Sequence, residues 1–132
     1  MIGIVLVTHG ALADALKNAA EMIIGSQEHF LAIGMGPADD LTILRGEIEA
    51  AVSAVEKNDG ALILVDLMGG SPAKASSHLA FSGAQVICGV NLPMLLEVLV
   101  QRESVTIQEL TAIAMQAAKE GVINLTRQLT GK

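Results

Sequence analysis

A histidine and an aspartate each follow a strand-like apolar run. His9 comes after Ile2–Thr8, and Asp66 comes after Ala61–Val65. Because the carboxyl ends of parallel strands meet at one edge of a sheet, we expect these two side chains to lie side by side. One nitrogen of a neutral imidazole ring is a nucleophile. A carboxylate oxygen that accepts a hydrogen bond from the other ring nitrogen fixes the tautomer and stabilises positive charge on the ring. The pair predicts a catalytic site in which His9 accepts a phosphoryl group and Asp66 orients the His9 ring.

Glycines and a serine follow both residues closely. Glycine lets backbone N–H groups approach a phosphate, and a helix N-terminus favours an anion. We therefore expect phosphate to be bound by four residues, which are Gly10, Gly69, Gly70 and Ser71. Ser71 ahead of Pro72 is, on its own, equally well an ordinary helix N-cap. Thr8 is interpreted as only the last residue of its strand. No cofactor is expected, and His9 with Asp66 supplies too few ligands for a metal site.

Strands and helices alternate along the whole chain, and four strands are apolar nearly throughout. Such strands are buried on both faces, which predicts an α/β fold with a doubly wound, mainly parallel four-stranded sheet flanked by helices. The predicted strands are Ile2–Thr8, His29–Met35, Ala61–Leu67 and Gln85–Val90, with a short last strand over Val122–Leu129. The predicted helices are Ala11–Ile24, Leu41–Lys57, Ser71 (as N-cap) to Phe81, Met94–Gln101, and Thr106 (as N-cap) to Glu120.

Composition narrows the class of protein further. The 132 residues suit one domain, and a chain with 52% hydrophobic but only 2% aromatic residues must build an aliphatic core of helix and sheet layers. A net charge of −6 without a basic stripe argues against nucleic-acid binding and suits a basic protein partner. The single cysteine, Cys88, is interpreted as buried and fits a reducing compartment. No apolar run approaches a membrane span, so we expect a cytoplasmic protein.

Other classes of protein fit these residues less well. A histidine phosphatase needs arginine where Thr8 stands, and a response-regulator receiver needs acidic residues where His9 stands. A hydrolase built from Ser71, His9 and Asp66 lacks the Gly-x-Ser-x-Gly elbow. A non-catalytic binding module remains an alternative. Met68 and Met94 are candidates for an apolar rim around a docking site, although core packing is the default for both.

The chain closely resembles the IIA proteins of the mannose-type (mannose, fructose and sorbose) sugar phosphotransferase system. The resemblance covers nearly the whole length, and the first and third of its motifs are fairly specific together. The matching segments are Val5–Gly10 with Ala13, Glu21–Ile23 before Gly25, Asp66–Pro72, and Gly89–Leu95. The phosphotransfer subunit of dihydroxyacetone kinase is an alternative on the same fold, but the segment Asp66–Pro72 favours the sugar system.

This resemblance implies a function and a set of partners. His9 would take phosphate from the phosphocarrier HPr and pass it to a histidine of a IIB component, which phosphorylates sugar entering through the membrane subunits IIC and IID. Asp66 would hydrogen-bond the active histidine, and Ser71 would lie beside the phosphoryl group. Family members form homodimers by exchanging a C-terminal strand, a role that Val122–Leu129 would have here. Residues 1–132 are expected to be a single IIA phosphotransferase domain without an attached IIB domain.

Overall fold

A four-stranded parallel sheet forms the centre of the molecule. The structure, a computed structural model, describes all residues from 1 to 132. The strands are β1 (Gly3–His9), β2 (Phe30–Met35), β3 (Ala61–Val65) and β4 (Gln85–Cys88), and they lie in the order β2-β1-β3-β4. All three pairings are parallel. The predicted parallel sheet is confirmed, and its order reverses between β1 and β3, the point at which open α/β sheets bind ligands.

Six α-helices and one 3₁₀ helix connect and cover the strands. They are α1 (Leu12–Ile24), α2 (Leu41–Val55), α3 (Ser71–Ser76) with the 3₁₀ helix Ser77–Ser82, α4 (Leu92–Gln101), α5 (Ile107–Glu120) and α6 (Leu125–Thr130). Side chains cap several N-termini: Asp40 accepts from the Ile43 amide, and Thr106 forms a capping box with Glu109. None of the helices is long and apolar enough to span a membrane.

The sheet is buried on both faces, because alternate β1 side chains enter two separate cores. Ile4 and Leu6 pack in the core that includes residues of α1, α4 and α5. Val5 and Val7 pack in the core that includes residues of α2 and α3. Helices therefore cover each face of the sheet, which confirms the doubly wound arrangement. Rigid packing on both faces fixes where the ends of β1 and β3 project.

The predicted last strand, Val122–Leu129, is wrong for the single chain. Leu125–Thr130 instead forms the short helix α6, whose N-cap Asn124 accepts a hydrogen bond from the Arg127 amide at 3.0 Å. A helix satisfies its backbone groups locally, whereas a strand needs a neighbouring edge. The apolar pair Val122–Ile123 resembled a strand start, but the Asn cap behind it favours a helix.

Other local predictions also need correction. Cys88 was expected to be buried, but it is exposed because β4 ends at this residue. The helix expected to run to Phe81 is α-helical only to Ser76 and continues as the 3₁₀ helix. Its N-cap is Gly70, and Ser71 is the first helical residue, so the serine hydroxyl does not cap the helix.

A buried arginine fastens the opposite, amino-terminal edge of the sheet. Arg102, at the end of α4, is only 1% exposed. Its guanidinium donates to the Ile2 and His29 carbonyls at 3.2 and 3.1 Å, and also to the Glu28 carbonyl and the Gln27 side chain. Burial lowers the pKa of Arg102, although Glu103 and Glu28 oppose that effect. These bonds join the C-terminal half of the chain to the starts of β1 and β2.

Candidate functional site

His9 and Asp66 meet at the carboxyl edge of the sheet, as the sequence predicted. His9 is the last residue of β1, and Asp66 directly follows β3. The His9 ring nitrogen Nδ1 lies 2.8 Å from Asp66 Oδ2, and the same oxygen accepts the His9 backbone N–H at 3.0 Å. The other carboxylate oxygen, Oδ1, accepts the Leu67 amide at 3.0 Å. One carboxylate therefore holds both the backbone and the ring of the histidine.

The Asp66 carboxylate is ionised, and this decides the tautomer of His9. Burial raises the pKa of Asp66, but hydrogen bonds from the His9 backbone, the His9 ring and the Leu67 amide outweigh burial and lower that pKa. An ionised carboxylate only accepts hydrogen bonds, so Nδ1 must carry the hydrogen. In a neutral ring with hydrogen on Nδ1, Nε2 holds a lone pair. The His9 side chain is 44% exposed, against 9% for Asp66, so the nucleophilic ring is accessible while its partner is sheltered.

The loop Gly69–Ser71 lies against the nucleophilic edge of the ring. A Cβ placed on Gly70 would lie 2.7 Å from His9 Cε1 and 3.1 Å from Nε2, so only glycine fits there without displacement of the ring. The backbone N–H groups of Gly69, Gly70 and Ser71 have no acceptor within the chain. Gly69 has a positive φ of 93°, which favours glycine. The loop therefore carries three unpaired donors and lies against the ring at Gly70.

Gly10 takes a different role from the one expected. Its N–H donates to the Met35 carbonyl at 2.8 Å and is therefore not available for a phosphate. Its φ of 55° lets the chain turn from β1 towards α1. Gly34 of β2 faces this turn, since a Cβ on Gly34 would lie 2.1 Å from the Gly10 carbonyl oxygen. Gly10 thus shapes the turn after His9.

The sequence interpretation missed the part that Thr8 plays beside the histidine. Thr8 is fully buried, and its hydroxyl accepts the Ala13 amide and donates to the His9 carbonyl. Threonine is common in strands, so no sequence pattern singled it out. The other two histidines are not brought to the site, because His29 precedes β2 at the opposite edge and His78 pairs with Glu49.

The surface around the ring includes exposed apolar side chains. Leu67 and Met68, which follow Asp66 directly, are 50% and 84% exposed. Met94, the other candidate for the rim, is only 1% exposed and belongs to the core. No cluster of three or more His, Cys, Asp or Glu side chains is arranged to hold a metal ion. The site is therefore an accessible imidazole with a carboxylate behind it, unpaired amides beside it and an apolar border.

Several known proteins are similar to this chain in sequence and in fold. The family EIIA-man, described as the fructose IIA component of the phosphotransferase system, matches residues 3–115. The mannose-specific EIIAB component of Escherichia coli (strain K12) is 38% identical over 124 residues, which are 92% of this chain and 38% of that protein's length. The sorbose-specific EIIA component of Lacticaseibacillus casei is 37% identical over 131 residues, 96% of this chain and 93% of the relative.

A solved structure has the same fold as this chain. Phosphotransferase system component EIIA from Streptococcus agalactiae superposes with a TM-score of 0.88 at 27% identity, covering 96% of this chain and 98% of the other. The family match covers most of the chain, and the sorbose-specific relative aligns along nearly its full length. The chain therefore belongs to the EIIA-man family, the mannose-type IIA components of the sugar phosphotransferase system.

Proposed function

We propose that this protein is a phosphocarrier in which His9 Nε2 accepts a phosphoryl group from phosphorylated HPr and passes it to a histidine of a IIB component. The transfer serves sugar uptake through membrane subunits IIC and IID, which this chain reaches only through IIB. One observation supports this most strongly: Asp66 occupies Nδ1 at 2.8 Å and leaves Nε2 on an accessible ring. The protein is proposed to act in the cytoplasm, where such partners meet.

The transfer step exchanges one phosphorus–nitrogen bond for another. The Nε2 lone pair attacks phosphorus, the bond to the donor histidine breaks, and its electron pair returns to the donor ring. The His9 ring, which keeps hydrogen on Nδ1, gains positive charge as the new bond forms. Asp66 stabilises that charge, as the aspartate of a catalytic triad does. In the onward step, a histidine of the IIB component attacks phosphorus, the bond to His9 Nε2 breaks, and its electron pair returns to the His9 ring.

The phosphoryl oxygens need donors, and the loop Gly69–Ser71 supplies them. Phosphoryl transfer depends mainly on positioning and electrostatic stabilisation. The amides of Gly69, Gly70 and Ser71 are unpaired, Gly70 lies against Nε2, and the Ser71 hydroxyl is not engaged as a helix cap. Successive backbone N–H groups of this kind bind anions without a basic side chain. Gly10 has no place in this cradle, because its N–H is bonded to Met35.

Incubation with ³²P-labelled phospho-HPr tests this function. We expect a label that is acid-labile and base-stable, as phosphohistidine is, and that disappears in His9→Ala. The chain offers matched controls in its two other histidines, so His29→Ala and His78→Ala should label like the wild type. Label that persists in His9→Ala, or that disappears only in one of the controls, would contradict the assignment. Chase with a IIB component should remove the label.

We also propose that the protein acts as a homodimer whose interface includes the C-terminal segment. Four apolar side chains there are 58% to 80% exposed in the single chain, namely Val122, Ile123, Leu125 and Leu129. Large apolar side chains grouped in this way are typical of association surfaces. Deletion of residues 122–132 should convert a dimer to a folded monomer in light scattering. A wild-type monomer would contradict the proposal, and strand exchange would additionally require α6 to unwind.

A further inference from the structure

We infer that the Thr8 hydroxyl is a positioning residue for phosphoryl transfer, because it fixes the backbone of His9 independently of Asp66. The inference rests on the proposed role of His9 as the phosphoryl acceptor. Thr8 does not touch the reacting atoms. It acts through the polypeptide chain on either side of the histidine.

The Thr8 side chain joins three consecutive parts of the structure. Its Oγ1 accepts the Ala13 amide at 2.7 Å and donates to the His9 carbonyl at 3.1 Å. Ala13 is the second residue of α1, and Thr8 belongs to β1. The hydroxyl therefore ties the end of the strand, the histidine backbone and the start of the helix to one point.

This hydroxyl replaces a conventional helix cap. The N-cap position of α1 is Ala11, which has no side chain able to cap. The first amides of a helix need an acceptor, and Thr8 supplies one from before the turn. Thr8 is 0% exposed and its bond to the Ala13 amide is buried, so water cannot replace the hydroxyl at that amide.

The position of the His9 backbone decides whether Asp66 can orient the ring. Asp66 Oδ2 binds both the backbone N–H of His9, at 3.0 Å, and its ring Nδ1, at 2.8 Å. A shift of the main chain changes both distances together and turns Nε2 away from the amides beside Gly70. Small displacements of a reacting group cost large factors in rate. Asp66 therefore holds His9 at its backbone N–H and at its ring, and Thr8 holds it at its carbonyl.

Thr8→Val tests the hydroxyl, because valine keeps the shape and the strand preference of threonine. We expect phosphoryl uptake from phospho-HPr to slow by about tenfold, consistent with two lost hydrogen bonds. Thr8→Ser retains the hydroxyl and should restore a rate near that of the wild type. Thr111→Val is the matched control: it removes a hydroxyl bonded to the Ile107 carbonyl in α5, and uptake should not change.

Ring spectroscopy separates positioning from a general loss of stability. In ¹⁵N spectra of the histidine rings, wild type and Thr8→Ser should show one tautomer of His9 with hydrogen on Nδ1, and Thr8→Val should show a mixture. A Thr8→Val protein with wild-type uptake and a single tautomer would overturn the inference. So would a Thr8→Ser protein as slow as Thr8→Val, since the methyl group would then be the cause.

A measurement on the wild type covers the case in which Thr8→Val does not fold. The Ala13 amide should exchange its hydrogen far more slowly than the unpaired amide of Gly69. Equal exchange would mean that the bond to Thr8 is absent, which overturns the inference. If wild-type protein takes no phosphate from phospho-HPr, the proposed function fails, but the tautomer and exchange measurements still decide whether Thr8 positions His9.

Discussion

At the scale of single residues, the geometry of the site depends on one carboxylate, Asp66, which accepts several hydrogen bonds at once. Asp66 accepts three hydrogen bonds, two from His9 and one from Leu67, so its position is fixed from both sides. Hydrogen bonds to an ionised group are stronger than those between neutral groups. In the proposed transfer, the carboxylate can therefore stabilise charge on the ring without moving.

Asp66→Asn should slow phosphoryl uptake by His9 about 10- to 100-fold while the domain stays folded. The amide is neutral, so it loses a charge-assisted hydrogen bond of about 1.5–3 kcal/mol. Single-turnover transfer from phospho-HPr measures the rate. Asp59→Asn, at the opposite edge of the sheet, is the control and should transfer normally. An unchanged rate in Asp66→Asn would make the carboxylate purely structural.

The Asp66 carboxylate should also make part of the unfolding free energy depend on pH. Its pKa is lower in the folded state than the ordinary value of 3.8, so the unfolded chain binds more protons near that pH. The stabilisation is complete above about pH 5 and is lost as the pH falls below 3.8 through the folded-state pKa. Urea unfolding of the wild type and Asp66→Asn from pH 6 to pH 3 measures it. The difference in unfolding free energy should shrink towards acid, and a constant difference would refute the linkage.

The sequence predicted the pair at this site but not its supporting contacts. His9 and Asp66 could be predicted because each ends an apolar strand, and parallel strands end at the same edge. The bond from Gly10 to Met35 could not, since it depends on the register between β1 and β2. Ser71 was predicted as the N-cap of α3, but the N-cap is Gly70. The backbone path of this loop, which packs against the His9 ring at Gly70, could not be read from the sequence either.

At the scale of secondary-structure elements, the loop between β3 and α3 packs against the His9 ring at one residue, Gly70. Gly70 leaves no room for a side chain, since a Cβ would lie 2.7 Å from the imidazole. Glycine within α2 is under no such constraint, because a Cβ on Gly46 would meet nothing within 4 Å. The two glycines can therefore be compared: a side chain at Gly70 meets the His9 ring, whereas a side chain at Gly46 has open space.

Gly70→Ala should reduce phosphoryl uptake at least about tenfold, because the methyl group displaces the ring or fills the space beside Nε2. Gly46→Ala should leave uptake unchanged and raise the unfolding free energy by about 0.5–1 kcal/mol, since alanine favours a helix interior. Transfer kinetics and urea unfolding of both variants measure these effects. Wild-type uptake by Gly70→Ala would show that the loop adjusts freely.

Elements with strong sequence signals were predicted well, and those with mixed signals were not. The strands β1 and β3 are continuous apolar runs, and their burial on both faces follows directly. The predicted capping residue Thr106 marked the start of α5 correctly. The C-terminal segment mixes β-branched residues with an Asn cap, and its residues are exposed in the single chain, so burial does not decide between strand and helix. Short apolar runs are ambiguous for this reason.

At the scale of the whole molecule, the two edges of the sheet have separate tasks. The carboxyl edge holds the His9–Asp66 pair, and at the amino edge Arg102 joins the end of α4 to the starts of β1 and β2. The distance between the two edges means that changes at Arg102 should affect stability without changing the chemistry. Sites this far apart usually behave additively.

Arg102→Met should lower the unfolding free energy by about 2–4 kcal/mol, because several carbonyl oxygens lose a buried charged donor. Arg45→Met, on the exposed face of α2, is the control and should change stability by less than about 0.5 kcal/mol. Urea unfolding measures both. Equal stabilities of the two variants would show that the buried guanidinium does not hold the sheet together.

The unpaired amides of Gly69, Gly70 and Ser71 have one more consequence, which concerns how such a protein diverges. Every amino acid except proline brings the same main-chain N–H, so an ordinary mutation in this loop cannot remove these donors. The neighbouring Leu67 and Met68 are exposed and make no part of the donor set. If these amides bind phosphate as proposed, substitutions at Leu67 and Met68 can change which partner protein docks there without removing the donors to the phosphoryl group.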